Sequence, residues 1–292
     1  MRVSADSRCP LANAVLRGFG DTFGTGREQM PTTSINGADI YYECAGEGPV
    51  LLLIHGLGSS GADWAFQRDE FARSHRLVIP DLRGSGRSGH VAASFSMVEF
   101  AADLWMLLDR LGHARVDILG FSLGGAVALE MALLQPLRVH GLILCNTLAN
   151  YRIDTWRKRL EAGLQMFLVR ALGLRRTATL IAKRLFPDPA HAAKRQRVID
   201  VVGANSPQVY LATMRALIGW HALDRLGALQ ARTLIIAAEH DYTPLADKRE
   251  ELLRFPNAQF VVVEGSRHGT PFDATEEFNR IVLEFLASAD RA

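Results

Sequence analysis

From residue 35 onward, short apolar runs alternate with longer stretches whose apolar positions recur every three or four residues. Asn36-Gly37 stands between Ile35 and the run 38–42, the two-residue signal of a β-hairpin. Residues 50–55, 76–80, 116–120, 139–144, 233–238 and 259–263 are compact apolar runs. Between them, 62–73, 96–111, 122–134, 244–255 and 273–286 carry helical spacing, as in Phe100, Leu104, Leu107, Leu108 and Leu111. The runs are continuous rather than alternately apolar and polar. Strands buried on both faces of a parallel sheet read this way. The pattern predicts an α/β chain with a doubly wound, mostly parallel sheet.

Residues 150–226 interrupt the alternation. They contain no strand-like run and read as helices broken at Gly173, Pro187-Asp188-Pro189 and Ser206-Pro207. Four segments follow: a leader, 1–29; the first half of the core, 30–149; a helical cap, 150–226; and the second half of the core, 227–292. The leader is rich in Gly, Ser, Thr and Arg without periodicity, and is expected to be flexible.

Composition narrows the function classes. With 292 residues, 48% of them apolar, the chain can bury a large core without staples. A formal charge of +2 is too small for a dedicated nucleic-acid binder. No apolar run reaches membrane-spanning length. Cys9, Cys44 and Cys145 are few, odd in number and dispersed, so neither a disulfide framework nor a thiolate metal site is indicated, and a cytoplasmic location is expected.

The candidate chemistry lies where strand-like runs end. Gly120-Phe121-Ser122-Leu123-Gly124 fits G-x-S-x-G between the run 116–120 and a helix start of small residues. A strand reversing sharply into a helix leaves Ser122 at the apex, and glycine suits the crowded positions on either side. The helix start directs backbone N–H groups and partial positive charge at a reacting oxygen. A serine nucleophile needs a base, and the base needs an orienting acid. Asp241 follows the run 233–238, and His268 follows 259–263 in a loop bearing Gly265. Loops after parallel strands share one sheet edge, where open α/β sheets bind ligands. Thr243 is expected to cap a helix opened by Pro244.

His55-Gly56 after one strand, Asp81-Leu82-Arg83-Gly84-Ser85-Gly86-Arg87-Ser88 after the next, and the serine turn after the third resemble the α/β-hydrolase superfamily. The resemblance spans about residues 35–288. It implies the order nucleophile, acid, base as Ser122, Asp241 and His268. It also implies an oxyanion hole made by the backbone N–H groups of Leu57 and Leu123. Shorter matches are similar to the 3-oxoadipate enol-lactonase and carboxylesterase branch: Cys145-Asn146-Thr147 with Ala149, Trp156 and Arg159, then Asn205-Ser206-Pro207 with Tyr210, and Phe278-Asn279 after His268. His55 is expected to be structural, and Arg83 to fix its loop through an ion pair.

These features predict a serine hydrolase that cleaves a small-molecule carboxylic ester or lactone through an acyl-enzyme. The chemistry calls for no metal and no organic cofactor. A thioesterase or C–C bond hydrolase with the same three residues is the alternative, and a non-catalytic ligand receptor a more distant one. Trp156, Phe167, Tyr210 and Trp220 are candidates for the substrate pocket. Residues 151–225 hold 14 Lys and Arg against 5 Asp and Glu. That excess either attracts an anionic substrate or covers solvated helix faces. The oligomeric state is not legible in the sequence.

Overall fold

The computed structural model describes residues 31–89 and 95–288; the expected leader, 1–29, lies outside them. β1 (Thr32–Ile35) and β2 (Ala38–Ala45) form the expected hairpin, with Asn36 and Gly37 both at positive φ, 48° and 76°. β3 (Val50–Ile54), α1 (Arg68–Phe71), β4 (Arg76–Pro80), α2 (Met97–Arg110), β5 (Val116–Phe121), α3 (Leu123–Leu134) and β6 (Val139–Cys145) follow. Four helices come next: α4 (Trp156–Leu172), α5 (Leu174–Leu185), α6 (Ala192–Gly203) and α7 (Pro207–Leu217). The chain closes with β7 (Arg232–Ala238), α8 (Leu245–Leu252), β8 (Ala258–Val263), α9 (Thr270–Asp273) and α10 (Thr275–Ala287).

The eight strands form one sheet in the order β1-β2-β4-β3-β5-β6-β7-β8. β2 pairs antiparallel with both β1 and β4, and all other neighbours are parallel. Successive side chains of the inner strands feed opposite cores. Leu52, Ile54, Ile118, Leu142 and Leu144 pack with α2 and α3, while Leu51, Leu53, Leu119, Ile143 and Cys145 pack with α1 and α10. This explains the unbroken apolar runs: both faces of each strand are covered. β3 lies between β4 and β5, so the sheet winds outward from it in both directions. The ends of β3 and β5 flank the crevice this creates.

One expected helix is built differently. Residues 62–73 make a 3-10 turn, Gly61–Trp64, and the single-turn α1 instead of one helix. Trp64, Gln67 and Phe71 keep their helical spacing and are buried, but the Asp63 side chain is spent on the loop after β3, accepting from Gly56 N at 3.2 Å and from the Ser59 hydroxyl. The expected last helix, 273–286, is α10, and the short α9 precedes it, separated at Ala274, whose φ of −132° and ψ of 54° are not helical.

Helices α4–α7 form an insertion between β6 and β7, broken where Gly173, the Pro187–Pro189 segment and Ser206-Pro207 stand. Its two ends are tied together at a neck. Tyr151 N donates to Trp220 O, Gly219 N to Tyr151 O, and Ala222 N to Ala149 O, at 2.8–2.9 Å. Buried Glu130 of α3 accepts from Trp220 Nε1 and from both terminal nitrogens of Arg225, which anchors the neck to the core. Among the described residues, no helix is long and apolar enough to cross a membrane.

Candidate active site

Ser122 sits at the apex between β5 and α3 with φ 53° and ψ −118°. This backbone region costs a non-glycine residue about 1–3 kcal/mol and persists only when its surroundings enforce it. Here Ser122 N donates to Cys145 O at 2.8 Å, and Gly125 N donates to Ser122 O at 2.9 Å. The flanking glycines are dictated by contact. A Cβ on Gly120 would lie 2.2 Å from Gly124 O, and one on Gly124 would lie 2.2 Å from Ile54 O. The turn is therefore wedged against β3.

The loops after β7 and β8 bring Asp241 and His268 to the same edge. His268 Nδ1 lies 2.7 Å from Asp241 Oδ1, and Nε2 lies 3.0 Å from Ser122 Oγ. A carboxylate only accepts, so Nδ1 carries the proton and Nε2 accepts from the Ser122 hydroxyl. The imidazole is held between Phe121 and Tyr242, with ring centroids at 5.3 and 4.4 Å. The Tyr242 hydroxyl is 3.4 Å from Nε2. Asp241 is buried, which by itself disfavours its charge. The His268 imidazole and the Lys248 ammonium outweigh that and hold its carboxyl well below the usual carboxylate range.

Several residues in this constellation escaped the sequence. Lys248 of α8 donates to Asp241 Oδ2 at 2.5 Å, and the Thr243 hydroxyl donates to the same oxygen. Thr243 is thus not the expected helix cap; Pro244 occupies that position, and no side chain caps α8. Asn146, at φ 48°, ties the three strand ends together. Its Nδ2 donates to His268 O and to Thr270 Oγ1, both at 2.7 Å, and its Oδ1 accepts from Ala238 N at 2.8 Å. No periodicity or motif marks these contacts: those of Asn146 join residues about 90–125 positions apart, and those of Thr243 and Lys248 depend on how one loop and α8 fold around Asp241. His240, adjacent to Asp241, is half exposed beside Glu239 and does not reach the serine.

The loop after β3 borders Ser122. A Cβ on Gly56 would meet the Phe121 ring at 3.2 Å and Ser122 Cβ at 3.5 Å. His55 is fully buried and structural: Nε2 accepts from Leu82 N at 3.0 Å, and Nδ1 donates to Gly56 O at 2.9 Å. Arg83 makes a buried two-bond pair with Asp103 at 2.5 and 2.6 Å. Leu57 and Leu123, whose amides are the expected oxyanion donors, directly follow Gly56 and Ser122 at this junction. Asn205 of the insertion donates to Gly58 O at 2.8 Å, and the Tyr210 ring packs against Gly58, so the insertion braces the same loop.

Above Ser122 and His268 lies a cleft of about 1340 Å³, walled by the insertion and by α8. Trp156 and Tyr210 line it. Phe167 and Trp220 do not. Phe167 is 61% exposed on α4, and Trp220 packs on Tyr151 and donates to Glu130. The insertion's positive excess does not make the wall uniformly basic: Arg157, Lys158 and Arg184 share it with Asp154, Asp247 and Glu250. Among the described residues, no group of three or more His, Cys, Asp or Glu side chains is arranged to hold a metal ion.

Comparison with known proteins agrees with this architecture. Residues 49–275 match a family described as alpha/beta hydrolase fold. A putative carbamate hydrolase RutD from Variovorax paradoxus is 33% identical over 267 residues, covering 85% of this chain and 96% of that protein. Its counterpart from Azorhizobium caulinodans is 27% identical over 270 residues, covering 90% and 100%. Among solved structures, a thermophilic esterase from Thermogutta terrifontis superposes with a TM-score of 0.79 at 27% identity, covering 88% of this chain and 97% of that one. The enol-lactonase from Burkholderia xenovorans LB400 gives a TM-score of 0.81 at 22% identity, covering 88% and 100%, a likeness of fold alone. The sheet order, the helical insertion and the family match agree that this chain belongs to the α/β-hydrolase family.

Proposed function

We propose that the protein is a serine hydrolase that cleaves a carboxylic ester or lactone of a small molecule. The observation that carries this reading is the unbroken chain from Ser122 Oγ to His268 Nε2, at 3.0 Å, and from Nδ1 to Asp241 Oδ1, at 2.7 Å, on the floor of the cleft. In the proposed reaction His268 takes the hydroxyl proton as Ser122 attacks the carbonyl carbon. Asp241 keeps Nδ1 protonated and stabilises the imidazolium that forms. The amides of Leu57 and Leu123 hold the oxyanion, an interaction commonly worth several kcal/mol. His268 then protonates the leaving alcohol. Water, deprotonated by the same imidazole, attacks the acyl-enzyme and releases the acid. None of these steps needs a metal or an organic cofactor. The compartment proposed is the cytoplasm, on the three dispersed cysteines.

A carbamate is the second reading, and the relatives named as putative carbamate hydrolases favour it. The same serine attack applies: the alcohol or phenol leaves, and water releases the carbamoyl group as a carbamic acid, which breaks down to an amine or ammonia and CO2. A panel of p-nitrophenyl esters, aryl carbamates, lactones and thioesters ranks the substrates by kcat/KM. Ser122→Ala and His268→Ala are expected to abolish turnover, and a fluorophosphonate should label Ser122. Turnover retained in both variants, or folded protein that does not label, would refute the mechanism.

A further inference from the structure

Asp241 is held from two sides, and only one of them is His268. The Lys248 ammonium lies 2.5 Å from Oδ2, and the two side chains are 1% and 0% exposed. The Thr243 hydroxyl donates to the same oxygen, and His268 takes the other. A buried ammonium is costly to desolvate, and an apolar residue at this position of α8 would serve packing alone at lower cost. Here the ammonium faces the acid directly.

We infer that Lys248 is a positioning residue that fixes which oxygen of Asp241 faces His268 and whose charge offsets part of the carboxylate's charge at the imidazole. This rests on the Ser122–His268–Asp241 reading above. With both Oδ2 positions filled by donors, Oδ1 is the oxygen left for Nδ1–H. The carboxylate's negative charge is also shared between an ammonium and the imidazolium that forms during acylation.

The other titratable groups around the pair are few. Cys145 approaches from the end of β6, and burial pushes its thiol up. Burial pushes the Tyr151 phenol up to about 12 and raises Tyr242 as well, so none of these three changes charge near neutrality. Glu251, one turn along α8, is pushed up by burial to about 7 and does titrate there. The pH measurement is therefore made in a Glu251→Gln background.

In that background, Lys248→Met and Lys248→Gln are compared with the parent by kcat/KM against pH. The acid limb is expected to move up by about one pH unit in both, because both remove the charge. The kcat on the pH plateau is expected to fall further in Met than in Gln, which still offers Oδ2 a donor. Where Lys248→Met does not fold, Lys248→Gln carries the test. A second readout needs no turnover: the His268 ring titration followed by NMR in the free protein should move in the same direction. A folded variant with lower activity but an unmoved limb and an unmoved ring titration would overturn the inference, since a purely structural lysine gives that result. Failure of the triad reading looks different: Ser122→Ala would keep its turnover, and fluorophosphonate would not label.

Discussion

Asp241→Asn is a sharp test of the site, because the surroundings decide how the new amide must sit. Oδ2 of Asp241 receives two donors, the Lys248 ammonium and the Thr243 hydroxyl. An asparagine keeps both satisfied only by placing its carbonyl oxygen there. Its NH2 then faces His268 Nδ1, where the carboxylate oxygen had been at 2.7 Å. Nδ1 must now accept, so the ring proton moves to Nε2 and points at Ser122 Oγ. The imidazole is left in the tautomer that cannot take the serine proton. The Lys248 ammonium loses its buried counter-ion, so the melting temperature should drop, while in the folded variant kcat/KM should fall about 10³–10⁴-fold, or about 4–5.5 kcal/mol of transition-state stabilisation. Hydrolysis of a p-nitrophenyl ester and the rate of fluorophosphonate labelling both report the change, with a thermal melt confirming the fold. A variant that is folded at the assay temperature and keeps its activity within tenfold would show that Asp241 does not set the tautomer.

Three further outcomes follow from the packing. Gly124→Ala would bring a Cβ to 2.2 Å from Ile54 O and 2.6 Å from His55 O, both backbone atoms. It should destabilise the protein by more than about 2 kcal/mol in urea unfolding, whereas Gly163→Ala, with nothing within 4 Å on helix α4, should stabilise it by about 0.4–1 kcal/mol. Asn146→Ala leaves the buried Ala238 amide without its acceptor and places alanine at φ 48°, so a loss of about 2–4 kcal/mol and a lower kcat are expected; an unchanged melting temperature would contradict its role as a tie. Burial raises Glu251 from 4.5 to about 7, so between these values the folded chain holds a proton that the unfolded chain has released. Stability should therefore fall as pH rises through that window, by at most about 3 kcal/mol, and Glu251→Gln should flatten the slope; parallel pH–stability curves for the two proteins would refute this.

The local patterns were strong enough to be read without coordinates. Unbroken apolar runs identified the inner strands, because a strand covered on both faces has no polar side to show. Asn36-Gly37 specified a hairpin because both positions need positive φ. Gly173, the Pro187–Pro189 segment and Ser206-Pro207 marked the helix breaks of the insertion because each either cannot continue a helix or caps the next. Ser122, Asp241 and His268 stood out because each follows a strand-like run, and parallel strands deliver their following loops to one edge.

Tertiary structure decided whatever depends on loop geometry or on residues far apart in the chain. Thr243 and Asp63 bond partners two and seven residues away, in loop geometry that no sequence pattern encodes. The antiparallel seating of β2 on β4 and the ties of Asn146 to Ala238 and His268 arise from partners with no fixed spacing. So do the turn of Trp220 toward Glu130 and the exposure of Phe167, which removed both from the cleft wall. Lys248 illustrates the limit most clearly. In the sequence it is one lysine in a run of charged residues on a helix. Only the packing of α8 against the end of β7 buries that one side chain against a carboxylate. The sequence supplied the groups proposed to do the chemistry, and the fold selected which neighbours hold them.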